Sequence, residues 1–79
     1  MNNNNIYILT EMAESMFKKN ETVWYCKDKV YEAEIKAVHY DDKIPYYTIY
    51  IPLIKVEKQT IQNRLFKKDN LFEAIKHVL

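Results

Sequence analysis

Val30-Tyr31-Glu32-Ala33-Glu34-Ile35-Lys36-Ala37-Val38-His39-Tyr40 alternates side chains with a period of two, with Tyr31, Ala33, Ile35 and Ala37 on one face and Glu32, Glu34 and Lys36 on the other. That pattern predicts a strand buried on one side over residues 29–40. Upstream, Thr22 to Lys27 reads as a partner strand, joined to it through a turn at Asp28 and Lys29. Downstream, Asp41, Asp42 and Lys43 make the next turn. Pro45 then leads into Tyr46 to Ile51, where Tyr47, Ile49 and Ile51 alternate with Tyr46, Thr48 and Tyr50. β-Branched and aromatic enrichment supports that third strand. Pro52 ends it, Ile54 to Thr60 offers a fourth, and Ile61 to Phe66 reads as a short turn entering a brief fifth. The expectation is a mostly β chain built as a small five-stranded antiparallel barrel.

The flanks differ in period. Thr10 to Asn20 carries Met12, Ala13, Met16 and Phe17 at helical spacing, with Thr10 as N-cap and Lys18 and Lys19 at the end, which predicts a short amphipathic helix. Ile6 to Leu9 is apolar and reads either as an added strand or as a lead-in. Asp69 or Asn70 is placed to cap a last helix whose Leu71, Ala74, Ile75, Val78 and Leu79 lie three and four apart. The expected organisation is therefore a disordered, asparagine-rich segment 1–5, a lead-in and helix 6–20, the barrel 21–66 and a C-terminal helix 67–79. The asparagine tract and the abrupt end suggest a piece of a longer chain.

Composition narrows the function classes. Seventy-nine residues make one domain, which buries only about 60 to 65 percent of its unfolded surface and has little room for a deep catalytic cleft. The 12 basic and 11 acidic side chains leave a formal net charge of +1, so no general basic field draws in nucleic acid. Cys26 is the one cysteine, which excludes a disulfide framework and fits an intracellular, reducing compartment, nuclear or cytoplasmic. His39 and His77 stand too far apart in sequence to make a zinc site with it. No stretch approaches the ~20 apolar residues that span a bilayer, so no membrane contact is expected. The chain lacks a nucleophile with its base, a glycine-rich phosphate loop or spaced metal ligands, so neither catalysis nor a cofactor is expected.

The chain contains no glycine, and its turns must come from Asn, Asp and Lys. Its seven tyrosines exceed what so small a core hides, so some must be exposed, where they suit a protein or peptide interface or cross-strand pairs.

With these elements placed, Glu21 to Leu65 resembles the Tudor domains of the Tudor and chromo-barrel group, small five-stranded barrels of the SH3-like class, over 45 of the 79 residues. The resemblance is carried by Glu21-Thr22-Val23-Trp24, by Tyr31-Glu32-Ala33-Glu34-Ile35, by Tyr46 to Ile51, and by Glu57-Lys58-Gln59-Thr60 with Arg64-Leu65 behind it. It implies an aromatic cage for methylated lysine or arginine, begun by Trp24 and by Tyr31 seven residues later, with Tyr50 as a third wall. The same register puts Leu53 where the family has an aromatic residue. The implied role is a non-catalytic protein-interaction module whose short basic or methylated peptide meets Trp24, Tyr31, Tyr50 and the Asp41-Asp42 turn. The alternatives are a scaffold domain making homotypic or partner contacts, including a homo-oligomer, and nucleic-acid contact through Lys58, Arg64, Lys67 and Lys68.

Overall fold

A computed structural model describes residues 15–79, which form one five-stranded antiparallel sheet and a C-terminal helix. The strands are β1 (Thr22–Cys26), β2 (Val30–His39), β3 (Tyr46–Ile51), β4 (Val56–Ile61) and β5 (Leu65–Lys67), and the helix α1 spans Leu71–Val78. Three-residue 3-10 turns, Gln62–Arg64 and Lys68–Asn70, flank β5. The sheet order is β4-β3-β2-β1-β5. β4 and β5 are thus the two edges, so the sheet is open where a closed barrel was expected.

Alternation along β2 and β3 generates one buried and one outer face, because directly opposed residues of an antiparallel pair share a face. Val23, Tyr25, Ala33, Ile35, Tyr47, Ile49, Ile51 and Leu65 form the core with Phe17, and Tyr31 and Val38 pack against it. Register accounts for this set: Val23 opposes Ala33, Tyr25 opposes both Tyr31 and Leu65, and Ile35 opposes Ile49.

One expected core position moves. The β2–β3 register shifts between Ile35 and Ala37, after which Ala37 opposes Thr48 on the outer face and Val38 opposes Tyr47 on the core face. A bulge adds one residue to one strand, and every side chain beyond it changes sides. Ala37 therefore leaves the core face, and Val38 takes its place.

The glycine-free turns use left-handed backbone at Asn20 (φ 74°) and Lys55 (φ 56°). Asn tolerates that region readily, whereas at Lys55 it closes the Pro52–Lys55 turn, in which the Lys55 amide donates to the Pro52 carbonyl at 3.2 Å.

The N-terminal helix expected over residues 10–20 does not extend through its described part. Residues 15–20 form a bend and a turn, closed by the Glu21 amide donating to the Lys18 carbonyl at 3.0 Å, while Glu21 Oε1 accepts from the Lys18 amide. Phe17 is fully buried there, its ring edge-on to Tyr47 at 5.6 Å. Residues 10–14 of that expected helix, the apolar lead-in 6–9 and the asparagine segment 1–5 lie outside the described residues.

Helix α1 docks on the outer face of β1 and β5 through few groups. Ala74 is its one fully buried residue, over the equally buried Cys26, whose thiol donates to the Ala74 carbonyl at 3.5 Å. The expected packing stripe divides: Ala74 and Val78 turn inward, while Leu71, Ile75 and Leu79 stay exposed with Phe72. A small residue at the contact lets the helix backbone approach the strand, and this selects the alanine side over the leucine side. Asn70 stands at the N-cap position, but its side chain makes no capping hydrogen bond. No helix among the described residues is long and apolar enough to cross a membrane.

Candidate functional site: the aromatic and acidic outer face

The expected cage residues do not converge. Trp24 opposes Glu32, whereas Tyr31 opposes Tyr25, which places Trp24 on the outer face and Tyr31 on the core face. Tyr31 stacks on the buried Tyr25 with ring centroids 6.5 Å apart. Tyr50 opposes Glu34 and shares the outer face with Trp24, displaced from it by two strands and two residues, a Cα separation of about 12 Å. Asp41 and Asp42 stand in the exposed β2–β3 turn, beyond the His39–Tyr46 end of the hairpin and about 15 Å past the level of Glu34. Leu53 is exposed in the β3–β4 turn.

Trp24 already holds a cation. The Lys68 ammonium sits 4.1 Å from the centroid of its indole ring and 2.8 Å from Glu32 Oε2, while the indole N–H donates to the Lys68 carbonyl at 2.9 Å. Trp24 and Glu32 face each other across β1 and β2, and Lys68 arrives from the 3-10 turn after β5. Phe66 opposes Trp24 on its other side and packs against His77 of α1 at 5.4 Å. Exposed cation–π contacts of this kind stabilise by about 0.5–1 kcal/mol.

Tyr50 has the same ingredients in a different row. Its cross-strand neighbours are Glu34 on β2 and Glu57 on β4, so a half-exposed tyrosine stands between two glutamates in one cross-strand row of the outer face. Glu34 has only a long contact with Lys36, 3.8 Å, and no ion pair to Glu57 is found among the described residues. The face from Glu32 across Glu34 and Tyr50 to Glu57 is therefore acidic and aromatic.

At the hairpin tip, the Tyr46 hydroxyl donates to Asp41 Oδ2 at 3.1 Å, and its ring stacks on His39 at 4.7 Å. That hydrogen bond, slight burial and the charges of Asp41 and Asp42 raise the phenol pKa. His39 Nε2 lies 2.7 Å from Thr48 Oγ1, so both histidines are engaged in packing contacts.

The four cations expected to form a nucleic-acid patch are dispersed. Lys58 lies on the core-face row, its ammonium 5.2 Å over the Tyr25 ring. Lys67 binds Glu21 at 2.8 Å and covers Phe17 at 4.9 Å. Lys68 is held by Glu32 and Trp24. Arg64, in the 3-10 turn, has no ion pair among the described residues.

Sequence reasoning did not reach two features. One is the flanking of Tyr50 by Glu34 and Glu57, which depends on register. The other is a cleft of about 1190 Å³ beside β4 and β5, where Met16, Ile44, Ile61 and Phe66 line the wall together with Thr60. Thr60 is 8 % exposed, and its hydroxyl has no hydrogen-bond partner among the described residues. Two exposed isoleucines, Ile44 in the polar β2–β3 turn and Ile61 at the end of β4, were the available signal for that cleft. Compared with known proteins, the chain matches no family model, no curated protein and no solved structure.

Proposed function

We propose that the chain is a non-catalytic protein-interaction module that binds a short basic peptide, with or without methylated side chains, on the outer face of the sheet. One observation carries this reading: Trp24 and Glu32 hold an ammonium at 4.1 Å and 2.8 Å. The neighbouring row offers Tyr50 between Glu34 and Glu57 with the same chemistry. A lysine or arginine side chain of the ligand lies over the Tyr50 ring, and the two carboxylates neutralise it. Trp24 lines the approach rather than the bound cation, and Tyr31 contributes packing from the core face.

The SH3-like, Tudor-like character of the fold belongs to the same proposal. β4 and β5 are the outermost strands, yet a single 3-10 turn, only about 6 Å long, joins them. That short link, and the reach of Lys58 of β4 to the ring of Tyr25 of β1, support reading the open sheet as one rolled toward a barrel.

The test is titration of the chain with short peptides carrying unmodified, trimethylated or acetylated lysine, followed by Trp24 fluorescence and by amide shifts of residues 34, 50 and 57. The expected result is saturable binding of the charged peptides, weakened by salt, absent for the acetylated peptide and lost in Tyr50→Ala. Flat titrations with all three peptides overturn the reading.

A second reading, a scaffold making homotypic or partner contacts, is favoured by the outward stripe of α1. Phe72 is 73 % and Leu79 93 % exposed, with Leu71 and Ile75 beside them. A dimer by light scattering that Phe72→Glu dissociates favours assembly, and a monomer at all concentrations rules out the homotypic form.

A further inference from the structure

We propose that α1 is a hinged flap over the outer face of β1, held shut by the Lys68 clasp, so that loss of the Lys68 charge lifts the helix and uncovers Cys26. Few groups attach the helix. It is eight residues long, its N-cap side chain makes no hydrogen bond, and Ala74 is its one buried residue. Isolated helices of this length are marginal in water, and a segment with few buried contacts opens at a small fraction of the global unfolding cost. Its own ion pair, Lys76 with Glu73, and the contact of Lys76 with Phe72 lie within the helix and contribute nothing to docking.

The hinge is the 3-10 turn Lys68–Asn70, where the chain leaves β5 and enters α1. Lys68 stands at its start, and three contacts fix it to the sheet: the ammonium on Trp24, the ammonium on Glu32, and the backbone carbonyl on the Trp24 indole N–H. Two of the three depend on the Lys68 charge. Removing that charge leaves Lys68 on a single hydrogen bond, and the helix is then held only by Ala74 over Cys26, by the half-buried Val78 and by His77 against Phe66.

What the flap covers is defined by what it buries. The Cys26 thiol is fully buried under Ala74 and donates to that residue's carbonyl, so it meets solvent only when the helix leaves. Burial also raises the thiol pKa, which keeps the closed form unreactive. Cys26 is the only cysteine of the chain and thus a single-site reporter of flap opening.

The experiment is the rate of reaction of the native chain with dithionitrobenzoate, in which the Cys26 thiolate attacks the reagent disulfide and releases thionitrobenzoate. Lys68→Met keeps the length of the side chain and removes its charge. We expect it to accelerate the reaction about tenfold in native buffer, as loss of one cation–π contact and one ion pair implies. Glu32→Gln gives a smaller rise, and Lys68→Arg restores the slow rate. Global unfolding also exposes Cys26, so the rates are measured against urea. Flap opening exposes little surface and gives a shallow dependence, whereas global unfolding gives the full slope. A Lys68→Met rate equal to that of the parent chain overturns the proposal. An increase that carries the full urea slope of global unfolding overturns it as well.

Discussion

The two faces of one sheet are stabilised by different physics. On the core face, shape decides: Tyr47, Ile35, Ile49 and Val23 are fully buried, and Phe17 seals them from the N-terminal side. On the outer face, charge decides: Glu32, Glu34 and Glu57 alternate with Trp24 and Tyr50, and the one buried patch is the small contact of Ala74 with Cys26. The first face cannot change without loss of the fold. The second consists largely of exposed or half-exposed charges and rings, so most of its side chains can change at little cost to the fold.

The sharpest break of this comparison uses two tyrosines of the same strand. Tyr47→Ala removes a fully buried ring whose hydroxyl donates to Gln62 Oε1 at 2.5 Å and lies 3.1 Å from Ser15 Oγ, and should cost about 3–5 kcal/mol in urea unfolding. For a domain this small that is most of its stability. Tyr50→Ala, three residues on and facing outward, should cost less than about 1 kcal/mol by the same measurement. Equal losses would mean that the outer face is a second core.

A gentler probe sits on β4. Thr60→Val replaces a buried hydroxyl lacking a partner among the described residues with a methyl group of the same shape, and should raise stability by up to about 1 kcal/mol. A loss on urea unfolding would show that the hydroxyl is satisfied by a group outside residues 15–79.

The smallest effect lies at the rim. Desolvation pushes the Glu21 pKa up, but hydrogen bonds from Lys67 and from the Lys18 amide, with the charges of both lysines, outweigh it and hold the carboxyl below its ordinary value. A folded-state pKa below the unfolded one gives stability that is present above the unfolded pKa and lost as pH falls through the folded value. Melting scans should therefore show Glu21→Gln less stable than the parent near neutrality, with the gap closing below about pH 4. A gap unchanged at low pH would remove the charge from the explanation.

The strands were legible in the sequence because the period of two survives in β2 and β3, and β3 runs from Tyr46 to Ile51 as read. Tyr31 was legible too, since it alternates with Ala33 and Ile35 and packs on their face, but the opposite side taken by Trp24 was not. In the β1–β2 hairpin opposed residue numbers sum to 56, as in Trp24 with Glu32, and a spacing of seven misses that sum by one. A one-residue difference in register moves a side chain to the other face, and nothing in Lys27-Asp28-Lys29 fixes that register. The bulge between Ile35 and Ala37 was hidden for the same reason, since Ala37 and Val38 suit either face. In α1 the helical period was correct, but which apolar side docks depended on how closely the backbone approaches Cys26.

Lys58 has a further consequence for how copies of this chain behave at high concentration. β4 is an edge strand, and a bare edge is a template on which another molecule's strand can add, the first step toward fibrils. Among the described residues Lys58 faces inward along that edge with its ammonium over Tyr25. A strand added to β4 from another copy would have to bury that charge, so one lysine turned the wrong way guards the edge against polymerisation.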